Sequence, residues 1–309
     1  MASFINALPG AVAQGLIWGI MAIGLYITYR VLDVADLTVD GSFCTGGAVC
    51  VMMILAGYSP AVAMLAAVIV GMATGFATGF FHTFCGIPAI LAGILTQLGL
   101  WSVNLAIMGM KANQYININN FDVFVSLRYL QDVGAGLRPF YQHPILVVGL
   151  FTVVVVAILY WFFGTELGSS IRATGANQHM ARAQGINTNF NVVLGLMISN
   201  GMVALAGALL AQYQGAVDVN MGRGAIVIGL AAVIIGEVLL SKVFINFALK
   251  MLSVVIGAVV YYLVIQIVLQ LGLNTNDLKL LTAAVVAIFL AVPYWKGKLF
   301  VAKSQRKGA

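Results

Sequence analysis

The stretch GAVAQGLIWGIMAIGLYITY, residues 10–29, contains no charged residue and is long enough to cross a lipid bilayer as an α-helix. A second apolar stretch, FCTGGAVCVMMILAGY, follows at residues 43–58. Between them LDVADLTVDGS, residues 32–42, carries three of the nine acidic residues of the whole chain. The fold is therefore predicted to open with two spanning helices that are separated by a short acidic segment.

The rest of the 309-residue chain has the same character, with 62% hydrophobic and 8% charged residues, whereas soluble domains average about 25% charged residues. Lipid offers backbone groups no hydrogen-bond partners, so only helices and closed barrels cross it. Barrel strands alternate over ~10 residues, but the apolar runs here are continuous and longer. We predict an all-α polytopic membrane protein, with residues 1–309 forming a single transmembrane domain.

The apolar runs predict about nine spanning helices, with eight to ten as the range. They lie at about residues 8–29, 41–57, 61–81, 88–109, 144–164, 191–213, 224–240, 245–270 and 280–295. Two connections, residues 110–143 and 165–190, are too polar to span. No cleavable signal is evident, because MASFINALPG at the start has no basic residue.

The distribution of basic residues predicts the orientation. Residues 296–309 form a basic tail, which the positive-inside rule places in the cytoplasm. Counting spans back from this tail places residues 165–190 in the cytoplasm, and residues 110–143 and the N-terminus outside. Ten of the fifteen Lys and Arg residues are then inside.

Other residue types exclude several function classes. Cys44, Cys50 and Cys85 lack metal-ligand spacing and are predicted to be small buried side chains. The three histidines are far apart, and no paired acids or Ser/His/Asp arrangement predicts an enzyme or a metal site. The basic residues form no single patch, so nucleic-acid binding is not predicted.

The loop sequence TGANQHMARAQGI, residues 174–186, predicts a short helix bounded by glycines, since its middle contains good helix formers and no β-branched residue. Its surface would carry Gln178, His179, Arg182 and Gln184. The alternative is a solvated loop helix that has no partner.

Three segments carry a resemblance to a known family. LGSSIRATGANQHMARAQGINTN, residues 167–189, resembles the cytoplasmic coupling segment of membrane permeases in ATP-driven importers of the branched-chain amino acid and ribose type. DLTVDGS, residues 36–42, is similar to an Asp-Leu-Ser-Val-Gly-Ser element of that family, and GLAAVIIGEVL, residues 229–239, is similar to a later span. The resemblance extends over residues 10–295.

The resemblance implies a type II-like importer permease in a bacterial-type cytoplasmic (inner) membrane. The implied partners are cytosolic ATPase subunits, a second permease copy or a homologue, an extracytoplasmic solute-binding protein and the lipid bilayer. ATP and Mg would bind the ATPase, because this chain has no G-x-x-x-x-G-K-[ST] motif, and we expect no cofactor on the chain itself. The implied coupling residues are Thr174, Gly175, Asn177, Gln178, His179, Ala181, Arg182, Gln184 and Gly185.

A similarity between two segments of the chain predicts an inverted repeat. GLIWGIMAIGLY (15–26) with ADLT (35–38) is similar to GLMISNGMVALA (195–206) with VDVN (217–220). Five predicted spans separate the two copies, so the second is inverted in the membrane, as in many transporters.

The acidic segment allows more than one interpretation. Asp33, Asp36 and Asp40 share one face if the segment is helical, and lipid exposure is excluded by a cost of ~2.5–3.5 kcal/mol per charge. The favoured interpretation is that Asp40 or Ser42 caps the next helix and that the acids pair with Arg30. The alternatives give Asp36, Asp40 and Ser42 a role in the substrate gate, or a contact with the ATPase.

Polar residues within the predicted spans are candidates for the substrate path. They are Gln97, Asn104, Ser199, Asn200, Gln212, Gln214, Asp218 and Asn220. The alternative for each is a hydrogen bond between helices. Asp218 and Arg223 fit either an ion pair or a docking contact, and Glu237 is predicted to be stabilised by Lys242.

These features predict the permease subunit of an ATP-binding-cassette importer for a small solute, with amino acids as the expected class and aromatic amino acids as the narrower hypothesis. The alternative is a secondary transporter coupled to ions or protons, which the membrane acids and the predicted inverted repeat also fit. A passive channel is disfavoured, because no filter sequence is visible.

Overall fold

The computed structural model describes residues 2–117, 120–134, 139, 142–240 and 246–270, together with 280, 283–284, 286–288 and 291. The elements are α1 Ala2–Tyr26, α2 Val39–Leu55, α3 Pro60–Thr83, α4 Ala89–Ile107, β1 Asn113–Tyr115, α5 Arg128–Gly134, α6 Pro144–Gly164, α7 Glu166–Ala176, α8 Gln178–Ala183, α9 Thr188–Gln214, β2 Ala216–Asp218, α10 Ala225–Leu240 and α11 Phe247–Gln270. A π-helical turn, Ile27–Val31, extends α1.

Eight of the nine predicted spans coincide with helices, namely α1 to α4, α6 and α9 to α11. Six of these, all except α2 and α10, are long and apolar enough to cross a membrane. Helices α2 and α10 have only 17 and 16 residues, less than the ~20 that a full span needs. The ninth predicted span, 280–295, is described at only seven positions, and the tail 296–309 lies outside the described residues.

Helix α9 is the longest of the described helices, and its 27 residues extend over ~40 Å. Its first turn contacts α8, where the Arg182 Nε donates to the Thr188 Oγ1 at 2.7 Å. Its last turn ends at Gly215, in the left-handed conformation with φ 69°, and leads into β2, which pairs antiparallel with β1. We call the two ends of the protein that these turns mark the α8 end and the strand end. The two polar connections therefore lie at opposite ends, as predicted.

Helices α1 and α9 form the centre and contact each other where the Ser199 hydroxyl donates to the Gly24 carbonyl at 2.7 Å. Helices α10 and α11 pack against α1, and α2 and α3 pack against α9, whereas α4 and α6 are exposed along most of their length. Glycines permit these close approaches: Gly15 faces the Val259 backbone, and Gly75 faces the Leu196 carbonyl. Small residues are typical of helix contacts in membranes.

The cysteine predictions hold for two of the three side chains. Cys44 and Cys50 are buried in α2, but Cys85 is exposed, so the prediction of burial was wrong there. Cys85 lies in the turn after α3, between the exposed Phe84 and Gly86, where no helix covers it.

We expect Gly75→Ala to destabilise the fold strongly. A methyl group at this position would overlap the Leu196 carbonyl oxygen, so α3 and α9 would have to separate along their contact. Overpacking typically costs ~1–3 kcal/mol, and a backbone obstacle places this variant at the upper end. Thermal unfolding in detergent measures the loss. The matched control is Gly99→Ala in α4, where open space surrounds the new Cβ. Equal melting temperatures for the two variants would contradict the α3–α9 packing.

Candidate functional site

Helix α2 begins in the middle of the protein. The non-helical segment 32–38 leads inwards from the α8 end, and the Ser42 Oγ then donates to the Asn200 Oδ1 at 2.6 Å. Asn200 is near the midpoint of α9. From there α2 runs to the strand end, where the Gln212 Nε2 contacts the Cys50 Sγ at 3.3 Å.

Helix α10 also begins in the middle, after segment 215–224 has returned inwards from the strand end. Gly222 lies against the Asp40 backbone, so the starts of α2 and α10 meet. The Asp40 carboxylate accepts hydrogen bonds from the Gly224 N–H and the Ile226 N–H, both at 3.0 Å. This carboxylate satisfies N–H groups at the start of α10 and complements the helix dipole.

The predicted arrangement of the acidic segment was wrong in two respects. Residues 32–37 are not helical, and Asp33 has a φ of 55°, so the three acids share no helical face. The N-cap of α2 is Thr38, whereas Asp40, in the first turn of α2, caps α10. Asp40 thus caps a helix, as predicted, but the helix is α10, which is distant in sequence, and not α2.

Arg30 does not pair with these acids. Its Nε lies 2.8 Å from the Glu237 Oε1, which connects the end of α1 to α10 at the α8 end. This pair is partly exposed, so it contributes little to stability. Lys242, the predicted partner of Glu237, lies outside the described residues.

Asp36 is the centre of a buried polar network. Its side chain is only 2% exposed, and its Oδ1 accepts from the Thr38 N–H at 2.9 Å while its Oδ2 accepts from the Asn200 Nδ2 at 2.7 Å. The predicted position at a membrane edge was therefore wrong, since Asp36 is level with the middle of α9. Segment 32–38 is fixed there by the donors that satisfy the carboxylate.

Hydroxyl groups extend this network across α3 and α4. The Thr38 Oγ1 lies 2.6 Å from the Thr78 Oγ1, which donates to the Thr96 Oγ1 at 3.0 Å. The Ser42 Oγ lies 2.7 Å from the Thr74 Oγ1. None of these three threonines was predicted from the sequence to contribute to a site. The available signal was limited to the four-residue spacing of Thr74 and Thr78 in an apolar helix, which does not identify their partners.

A cavity of about 230 Å³ lies beside the junction of α2 and α10, and we call it the polar cavity. Its lining residues are Asp40, Gly41, Cys44, Gln97, Leu98, Trp101, Asn104, Val219 and Arg223. The cavity brings together Gln97 and Asn104, as predicted from their spacing on one face of α4. Trp101 and Cys44 also line the cavity, although the sequence did not predict either as a path residue.

The other path candidates lie outside the polar cavity. Asn200 is bonded to Asp36 and Ser42. Ser199 and Gln212 also bind within the protein: the Ser199 hydroxyl donates to the Gly24 carbonyl, and the Gln212 Oε1 accepts from the Phe124 N–H at 3.0 Å. Gln214 and Asn220 are exposed at the strand end. These contacts favour the alternative of structural hydrogen bonds for Ser199 and Gln212. Within the described residues, no three His, Cys, Asp or Glu side chains converge on a metal site.

Asp218 and Arg223 form no ion pair with each other, although both are described. The Asp218 Oδ1 accepts from the Asn220 N–H at 2.5 Å, and the Asp218 carbonyl accepts from the Cys44 thiol at 3.4 Å. Arg223 lines the polar cavity instead.

The predicted coupling helix is shorter than its sequence suggested. The helix α8 spans Gln178–Ala183, is capped by the Asn177 side chain and ends before Gly185, which has a φ of 80°. Gln178, His179 and Gln184 are exposed, as predicted. Met180, which the sequence analysis did not select, is 64% exposed.

Three of the implied coupling residues have internal positions. Thr174 and Gly175 belong to α7 rather than to α8. Thr174 is buried and its Oγ1 accepts from the Asn191 Nδ2 at 2.8 Å, and Gly175 lies against the Val31 carbonyl. Ala181 is the buried residue of α8. These residues attach the loop to the helices and expose little surface to a partner.

Comparisons with known proteins agree on one family. The profile of the branched-chain amino acid transport system permease component matches residues 8–291. The tyrosine transport system permease protein of Clostridioides difficile is 37% identical over 286 residues, which cover 93% of this chain and 91% of that protein. An uncharacterised protein of Rickettsia prowazekii is 34% identical over 93% of this chain and 97% of its own length. The autoinducer 2 import system permease protein of Salmonella typhi is 28% identical over 60% of this chain and 50% of its own length. No solved structure matches the chain.

We expect Asn200→Leu to lower the free energy of unfolding by about 3 kcal/mol, because it leaves an oxygen of the buried Asp36 carboxylate without its donor. The adjacent control Ser199→Ala removes one neutral hydrogen bond and should cost about 1 kcal/mol. Equilibrium unfolding in mixed micelles measures both. An Asn200→Leu variant as stable as Ser199→Ala would show that the Asp36–Asn200 contact is not formed.

Proposed function

We propose that this chain, which belongs to the permease-component family of branched-chain amino acid transport systems, is the membrane-spanning subunit of an ATP-driven importer of a small solute. The observation that carries the proposal is the exposed helix α8, at the opposite end of α9 from the paired strands. A transport subunit without a nucleotide-binding motif needs a surface through which an ATPase moves it, and α8 offers that surface.

In this proposal α8 docks in a cleft of a cytosolic ATPase subunit, which binds ATP and Mg. His179 and Met180 are exposed on α8 and would make the contact. Asn177 caps α8, and Arg182 connects it to α9 through its bond to Thr188. A rigid connection of this kind supports transmission of a movement from the ATPase to the spanning helices.

We further propose an inverted repeat, in which α1, α2 and α3 correspond to α9, α10 and α11. The packing supports it, because α9 contacts α2 and α3 while α1 contacts α10 and α11. The two return segments also match, since Asp36 accepts from the N–H two residues later and Asp218 does the same. Short helices that begin in the middle of such repeats are typical of transporter substrate sites.

The substrate path then passes the meeting point of α2 and α10, and Gln97 and Asn104 are its candidate lining residues. Alternating access would open the path first to the strand end and then to the α8 end. A second copy of this chain, or a homologue, would complete the path, and a solute-binding protein would deliver solute at the strand end. The proposed location is the cytoplasmic (inner) membrane of a bacterium, with the α8 end in the cytoplasm.

The proposed solute is an amino acid or a similar small molecule. The relative from Clostridioides difficile, which is named for tyrosine transport, shares 37% of aligned residues and nearly its whole length with this chain. Aromatic amino acids are therefore the first solutes to test.

Uptake into proteoliposomes tests the transport proposal. The chain is reconstituted with its ATPase and its solute-binding protein and supplied with a panel of amino acids that includes tyrosine. We expect uptake that requires ATP and stops when the Walker lysine of the ATPase is replaced. Uptake that is driven by an ion gradient without the ATPase, and that is abolished by Asp36→Asn or Asp218→Asn, would favour a secondary transporter.

Purification from native membranes in mild detergent tests the coupling surface. We expect a cytosolic ATPase chain to co-purify with the wild type, and its recovery to fall about tenfold in Met180→Glu, because a charge would replace an apolar contact. Lys111→Glu, on an exposed residue after α4, is the matched control and should retain the ATPase. Full recovery with Met180→Glu and with a second variant, His179→Glu, would contradict docking through α8.

A further inference from the structure

We propose that the polar cavity binds the ammonium and carboxylate groups of an amino acid during its passage, with Arg223 facing the carboxylate and Asp40, Asn104 and Gln97 facing the ammonium. This inference rests on the proposed transport function and assigns its substrate contact to particular residues of this chain.

The first observation is a pair of opposite charges that do not neutralise each other. Asp40 and Arg223 both line the cavity, but they form no salt bridge together. Among the described residues, the guanidinium of Arg223 has no acidic partner, and the partners of the Asp40 carboxylate are backbone N–H groups. A zwitterion presents the complementary pair of charges. A simple cation would leave Arg223 without a counter-charge, and a neutral sugar would leave both side chains without one.

The second observation is a buried polar atom without a partner. Asn104 is only 1% exposed, and its Nδ2 makes one long bond of 3.4 Å to the Gly41 carbonyl. Its Oδ1 has no hydrogen-bond partner in the described part of the chain. A buried acceptor that is left unsatisfied costs about 1–3 kcal/mol of desolvation, and an ammonium group that enters the cavity would satisfy it. Gln97, two turns earlier on the same face of α4, adds a second amide.

The third observation is the size and the remaining wall of the cavity. Its volume of about 230 Å³ equals the liquid volume of roughly seven or eight water molecules, which suits a small organic solute. Trp101 forms part of the wall. The polar groups therefore have an adjoining aromatic surface.

Another cavity, between α3, α6 and α9, does not offer this chemistry. It has a volume of about 350 Å³, and its lining side chains are all apolar, among them Met64, Phe151 and Met202. It has neither a charge nor an amide that would bind an ammonium or a carboxylate group. An amino acid would lose its hydration there without compensation.

Protection of an introduced cysteine tests the site without requiring transport. Gln97→Cys is combined with Cys85→Ser, which removes the exposed native thiol, in the purified complex of permease and ATPase without the solute-binding protein. A small maleimide labels the cysteine, and L-tyrosine is the first competing solute, followed by the other amino acids of the uptake panel. We expect an amino acid to slow labelling at least tenfold, and its decarboxylated amine, tyramine in the case of tyrosine, to have little effect.

Two further variants separate binding from a structural effect. Ser59→Cys, on an exposed residue before α3, should be labelled equally with and without amino acid. Arg223→Gln should lower uptake about ten- to one hundredfold, as expected for the loss of a charged hydrogen bond, and should remove the preference for the amino acid over its amine. Arg223→Lys should recover part of the uptake, and Arg128→Gln, which changes an exposed arginine outside the cavity, should leave uptake unchanged.

The outcomes distinguish the site from the transport function. Protection of Gln97→Cys without ATP-dependent uptake would leave the site standing and overturn the importer assignment. ATP-dependent uptake of an amino acid, with no protection by that amino acid and normal uptake by Arg223→Gln, would overturn the site and leave the importer. If no amino acid is taken up and none protects the cysteine, the site and the proposed amino-acid solute class both fail.

Discussion

The meeting of two helix starts inside the protein is the constraint on which the rest of the structure depends. A helix start leaves four backbone N–H groups without intrahelical partners, and apolar surroundings make each unsatisfied group expensive. Asp40 supplies both carboxylate oxygens to the start of α10 while it lies in the first turn of α2. One side chain of α2 thereby satisfies N–H groups at the start of α10, and the residues that it joins are 184 apart in sequence.

The polar network around Asp36 has the complementary role of fixing the segment that leads to this meeting point. Asn200 donates to Asp36 and accepts from Ser42, so one amide holds both segment 32–38 and α2 on the central helix α9. Thr74 and Thr78 connect the same groups to α3. Buried networks in which each member has a partner favour a single arrangement of the surrounding helices. The middle of the protein is thus held by directional bonds, and apolar packing surrounds it.

The sequence predicted what depends on local composition. Continuous apolar runs located eight helices, and the seven-residue spacing of Gln97 and Asn104 correctly placed them on one face of α4. The path of residues 32–38 was not predictable from spacing, because acids at these intervals fit an extended segment as well as a helix. Arg30 and Glu237 are 207 residues apart, so no local pattern identified their pairing. The roles of Thr74 and Thr96 were hidden for a related reason, since a threonine in an apolar helix commonly bonds to its own backbone.

Gly175 packs on the Val31 carbonyl, so the loop at the α8 end is in direct backbone contact with the chain that leads into the interior. Helix α7 has no side chain between itself and the backbone at this point, and the Asn191 bond to Thr174 holds it in place. A side chain between the two backbones could absorb part of a tilt of α7 by changing its conformation. Because none is present, a tilt of α7 displaces Val31 directly. From Val31, five residues of non-helical chain reach Asp36, a distance of at most ~18 Å when extended. The acidic segment is therefore a short, direct covalent connection between the α7 packing contact and the buried junction of α2 and α10.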